Sequence, residues 1–200
     1  MSAKPHRMLT LAGVWLLAAC QSTPPTHYYA LTSIAPTTPR ASMAVQNPIR
    51  VERVTIPGEL DRLEIVRRSA SNRLQIATFD LWAAPLDDMI WRVLAEDLAA
   101  RLPAGAIASA NEPAAAEPHR RLYIDVQEFT GDARGAVVLR AKWLLATPNA
   151  ASERGTEEVA VEASDATADA LAAAMSRALA ELAGRVAAAL ATHVDSEKSA

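Results

Sequence analysis

Two stretches of this chain repeat their apolar residues at helical spacing, and the segments before and between them repeat at spacing two. Leu86, Ile90, Val93, Leu94, Leu98 and Leu102 form the first stripe, and Leu171, Met175, Leu179, Leu182, Val186 and Leu190 the second. A pattern of period 3.6 cannot present one face as a strand, and a pattern of period two cannot present one face as a helix. The order is therefore strands, helix, strands, helix. Runs of strands separated by single long helices point to an α+β layer fold, with a mainly antiparallel sheet of about seven strands and two long helices packed on one face.

The strand segments are legible one by one. HYYAL at 27–31 opens the series, and IRVERVTI at 49–56 alternates apolar and charged side chains before Pro57-Gly58 stops it. LEIV at 63–66 and LQIA at 74–77 read as a hairpin joined by the polar segment 67–73. RRLYIDVQEF at 120–129 sets Leu122, Ile124 and Val126 on one face and Tyr123, Asp125 and Gln127 on the other. TGDARG turns the chain into VVLRAKWLLA at 137–146, and TEEVAVEA at 156–163 adds one more strand. Pro85 suits the start of the first helix, with Asp87 and Asp88 at the positive end of its dipole, and Pro103 with Gly105 ends it. The second helix is expected over 166–193. Its stripe also fits coiled-coil a/d positions over nearly three heptads, but its flanks are mostly alanine, so burial against the sheet is the expectation.

The single cysteine, Cys20, closes the run LAGVWLLAAC. One thiol makes no internal disulfide and defines no metal site. Lys4, His6 and Arg7 precede about ten mostly apolar residues, the length of a signal-peptide core and too short for a bilayer, which takes roughly 20. The small pair Ala18-Ala19 ahead of the thiol resembles a bacterial lipobox. The expectation is cleavage after residue 19, a diacylglycerol thioether on Cys20 and an acylated amine, palmitate being a typical acyl group. Gln21 in place of aspartate points to the outer membrane. Residues 1–19 are then a signal peptide, 20–27 a lipidated tether, 28–195 a single periplasmic domain and 196–200 a tail.

Loss of Lys4 and Arg7 leaves 18 of the 20 basic side chains against 23 acidic ones, and no basic stripe interleaved with aromatics suggests nucleic acid. The histidines, at 6, 27, 119 and 193, make no HExxH, and neither a Walker loop nor GxGxxG follows a strand. Asp87-Asp88 are explained by the helix dipole and Glu157-Glu158 by the solvated side of a strand. No catalytic residue, metal site or cofactor is expected, other than the covalent lipid. Of the tryptophans, Trp82 and Trp143 suit core positions. Trp91, off the first stripe and beside Arg92, is the candidate anchor for a protein partner, because Trp and Arg carry much interface energy.

Tyr28-Tyr29-Ala30-Leu31 shortly after the cysteine, Leu60-Asp61-Arg62 followed by Ile65-Val66-Arg67-Arg68, and Trp82-Ala83-Ala84-Pro85-Leu86 at the helix start occur in the order seen in a known group. Over residues 20–190 the chain resembles the PqiC (YmbA)-like ABC-type transport auxiliary lipoproteins. The resemblance implies a non-enzymatic component of an intermembrane lipid transport system on the periplasmic face of the outer membrane. Its implied partners are an MCE-domain protein and an ABC permease with its ATPase, and it implies ring-like homo-oligomers. A lipoprotein adaptor for another envelope machine, such as cell-wall synthesis, is the competing expectation.

Overall fold

The computed structural model describes residues 24–36, 48–108 and 120–197. The expected signal peptide, Cys20, the first part of the tether, residues 109–118 of the connection after the first helix, and residues 198–200 lie outside the described residues.

Nine elements follow in order: β1 (His27–Tyr29), β2 (Ile49–Val51), β3 (Glu64–Ala70), β4 (Arg73–Trp82), α1 (Leu86–Arg101), β5 (Arg120–Asp132), β6 (Ala136–Ala146), β7 (Glu153–Glu162) and α2 (Ala168–Glu197). The strands form one seven-stranded sheet in the order β1-β4-β3-β5-β6-β7, with β2 beside the first residues of β5. Antiparallel pairing dominates through β3–β4, β5–β6 and β6–β7. Three pairings are parallel, β1 with β4, β2 with β5 and β3 with β5. Periodicity marks which face of a strand is buried and carries no information about its neighbour, so these parallel joints are absent from the pattern.

Several boundaries differ from the sequence expectation for identifiable reasons. The segment 67–73 is no loop: β3 and β4 continue through it and turn only at Ser71-Asn72, with Arg68 paired to Leu74. β2 ends at Val51, not residue 56, although Thr55 returns to β5 in a single bridge with Asp125. Pro85 stands just before α1 as its cap residue, and its carbonyl accepts the Met89 N–H. The second helix starts at Ala168 because Thr167 caps it: the Thr167 Oγ1 accepts the Ala170 N–H at 3.2 Å, while Asp165 accepts the Thr167 N–H at 2.8 Å.

Both apolar stripes are buried on one covered face. Ile90, Val93, Leu94 and Leu98 of α1 meet Leu171, Leu179, Leu182 and Val186 of α2 in a common core with Leu122, Phe129, Leu139 and Leu145 of the sheet. Ala174, Ala178 and Ala183 are fully buried. The alanines thus do more than favour helix, since their small side chains let α2 approach its neighbours closely. Gly135, at φ 97°, makes the β5–β6 turn, and Asp132 Oδ1 braces it by accepting the N–H groups of Arg134 at 2.8 Å and Ala136 at 3.0 Å.

Candidate functional site

The described chain enters at residue 24 and becomes β1 almost at once, at the sheet edge beside the end of β4. His27 Nδ1 lies 3.5 Å from Asp80, and the Tyr29 hydroxyl donates to the same carboxylate at 3.3 Å. Burial, followed by the charge of Asp80, pushes the Tyr29 phenol above its usual range.

Beyond β1 the backbone is clasped to the helix layer. Asp97, fully buried on α1, accepts the Ser33 hydroxyl and the Ile34 N–H, each at 2.9 Å. Arg101 lies 3.2 Å from the same carboxylate oxygen and donates to the Ile34 carbonyl at 3.1 Å. Ser176 of α2 accepts the Thr32 N–H at 3.2 Å, and Arg92 donates to the Leu31 carbonyl at 2.9 Å. Four side chains from two helices hold residues 31–34. A periodic pattern signals none of this, because Asp97 sits within an apolar face and reads as an interruption of it.

Of the candidate partner residues, Trp91 is half-buried and Arg92 exposed. The Trp91 Nε1 donates to the Val51 carbonyl at 3.0 Å, and the Arg53 guanidinium lies 5.3 Å from its ring centroid. Arg53 also pairs with Asp88, and Arg92 pairs with Glu96 at 3.1 Å. The indole therefore joins α1 to the outer edge of β2 and supports a cation there. The expected lipidation residue, Cys20, lies outside the described residues.

The sheet face opposite the helices has its own order. Arg68, Glu128, Arg140 and Glu158, from β3, β5, β6 and β7, form a continuous row of ion pairs at 3.1, 3.0 and 3.0 Å. The next rows are Asp125, Lys142 and Thr156, then Tyr123, Leu144 and Arg154. Directly opposed residues on antiparallel strands share a face, so these six side chains lie together. With Arg53 and Thr55 they line an open groove of about 750 Å³. Tyr123 is 41% and Leu144 37% exposed. Tyr123 stood on the outward side of its strand in the sequence pattern, but its neighbours depend on register and could not be read there.

Asp87 and Asp88 lie in the first turn of α1, where Asp88 also pairs with Arg53, while Glu158 pairs with Arg140 on the open face and Glu157, against expectation, turns to the other face and pairs with Arg185 of α2. Among the described residues no group of histidine, cysteine and carboxylate side chains could hold a metal ion, and no helix is long and apolar enough to cross a membrane.

Comparison with known proteins agrees with this architecture. PqiC, the intermembrane transport lipoprotein of Escherichia coli K12, is 29% identical over 138 residues, which are 69% of this chain and 72% of PqiC. The protein of the same name from Shigella flexneri matches equally. The crystal structure of an uncharacterized protein superposes with a TM-score of 0.72 at 22% identity, covering 84% of this chain and 99% of that one. Protein XCC0632 from Xanthomonas campestris gives 0.69 at 20% identity over 88% and 100%. At such identities the two structures speak for the fold. The family described as the ABC-type transport auxiliary lipoprotein component matches residues 29–187, from the second residue of the first-strand YYAL motif to the last turns of α2. The role of that family is auxiliary to transport and not enzymatic. The chain belongs to the ABC-type transport auxiliary lipoprotein family.

Proposed function

We propose that this protein is held at the periplasmic face of the outer membrane by a lipid on Cys20. There it serves an intermembrane lipid transport system together with an MCE-domain protein and an ABC permease with its ATPase. The observation that carries the reading is the family match beginning at residue 29, only a short tether beyond Cys20. The seven residues from Cys20 to His27 reach at most about 25 Å when fully extended, so the domain at 28–195 would stay close to the bilayer. Lipid chains at about 0.8 kcal/mol per buried methylene would make that attachment stable. The corner of α1 carrying Trp91 and Arg92 is the proposed contact for a protein partner, and ring-like self-association would match a multimeric MCE protein. The reading needs no cofactor beyond the covalent lipid.

The test is recovery of partners from crosslinked envelopes, comparing the lipidated protein with Cys20→Ala. An MCE-domain protein and its permease should be recovered with the wild-type chain and depleted with the variant. Recovery of cell-wall enzymes alone would overturn the reading in favour of an adaptor of another machine.

A further inference from the structure

The open sheet face divides into two parts of different character. Along the row Arg68, Glu128, Arg140 and Glu158, every charge faces an opposite one. In the groove beside it the balance fails. Asp125, directly across from Lys142, is engaged by the Thr55 hydroxyl at 2.6 Å, and among the described residues neither the Lys142 nor the Arg154 side chain has an ion pair or hydrogen bond. The two cations occupy adjacent strands on neighbouring rows of the same face. In the row of Arg154 lies an apolar floor made by Tyr123 and Leu144, paired directly across β5 and β6, with Arg53 also on the groove. Arg53 is kept at the far rim by Asp88 and by the Trp91 ring.

We propose that this groove binds a single anionic amphiphile. Its phosphate is held by Lys142 and Arg154, and the first part of its acyl chain lies across Tyr123 and Leu144. The chemistry follows from the lining. Guanidinium and ammonium groups are the side chains suited to phosphate, and an exposed aromatic and aliphatic pair gains by covering apolar surface. The volume is sufficient for one small molecule. About 750 Å³ lies within the usual range of small-ligand sites. The void between Leu60, Val66, Phe129 and Met175, at about 10 Å³, is too small for such a molecule. That the amphiphile is a phospholipid rests on the transport reading above.

The experiment places photoreactive benzoylphenylalanine at position 144 of the full-length lipidated protein, irradiates intact envelopes and weighs the purified product. The expected result is a mass increase of one phospholipid. In the Lys142→Glu/Arg154→Glu variant the yield should fall about tenfold, the change for losing ~1.4 kcal/mol of binding. Both residues are solvent-exposed, so the neutral Lys142→Gln/Arg154→Gln variant, which sets no carboxylate opposite Asp125, should keep the wild-type melting temperature and show the same fall. A polypeptide adduct, no adduct, or an adduct undiminished in that variant would each overturn the groove assignment. Partner recovery in the Cys20→Ala comparison is a separate readout, so failure of the groove and failure of the transport reading are distinguishable.

Discussion

The indole N–H of Trp91 donates to the backbone carbonyl of Val51 at 3.0 Å. Val51 ends β2, whose other edge pairs with β5, so this carbonyl faces away from the sheet. One aromatic side chain thus satisfies an edge acceptor and ties α1 to the short strand beneath it. Trp91→Phe keeps most of the ring and removes the donor. It should cost about 1 kcal/mol and lower the melting temperature by roughly 2–4 °C. Thermal unfolding followed by circular dichroism checks this.

Trp143 lies flat over Gly155, its partner across β6 and β7. A Cβ at position 155 would stand 2.5 Å from the indole Nε1 and 2.6 Å from a ring carbon. Gly155→Ala should therefore destabilise by about 1–3 kcal/mol through overpacking. Adding Trp143→Leu should recover part of that loss, and a double-mutant cycle in urea gives the coupling directly.

The clasp on residues 31–34 turns on Asp97. Asp97→Ala would leave the Ile34 N–H and the largely buried Arg101 guanidinium without their carboxylate, at a cost of about 3–5 kcal/mol. Amide exchange at Ile34 should rise in the milder Asp97→Asn variant before global stability is lost. Unchanged exchange at Ile34 would show that the clasp does not hold the strand exit.

Asp132 links stability to pH. Burial raises its carboxyl pKa, but the N–H groups of Ala136, Arg134 and Gly135 outweigh burial and hold it below the ordinary value of 3.8. A group whose pKa is depressed by folding contributes stability above its unfolded pKa and loses it as pH falls through the folded value. Asp132 should thus support the fold above about pH 4 and lose that contribution as the pH falls below the ordinary carboxylate value. Asp132→Asn should flatten the acid limb of the stability curve in that window.

The outer edge of β7 is closed by α2. Arg177 donates to the Glu162 carbonyl at 2.8 Å and Arg185 to the Glu158 carbonyl at 2.7 Å. The spacing is commensurate: eight helical residues rise ~12 Å and four strand residues ~13 Å. An open strand edge is a template for another chain. Arg177→Ala/Arg185→Ala should therefore increase self-association with concentration in sedimentation velocity, while far-ultraviolet circular dichroism stays unchanged.

The alternation at 120–129 and 137–146 and the stripes at 86–102 and 171–190 determined the elements, their buried faces and the α+β order, because side-chain period is a local property of the backbone. The order of YYAL, LDR and the WAAPL helix start was likewise enough to indicate the family. Tertiary structure decided what depends on contacts between distant segments. It set β3 parallel to β5, extended the β3–β4 hairpin through the polar 67–73 segment, placed Asp97 beneath Ser33 and Ile34, and turned Trp91 toward Val51. It alone brought Lys142, Arg154, Tyr123 and Leu144 into one groove, since strand register, on which that juxtaposition depends, is fixed by pairing between strands and not by the pattern within any one of them.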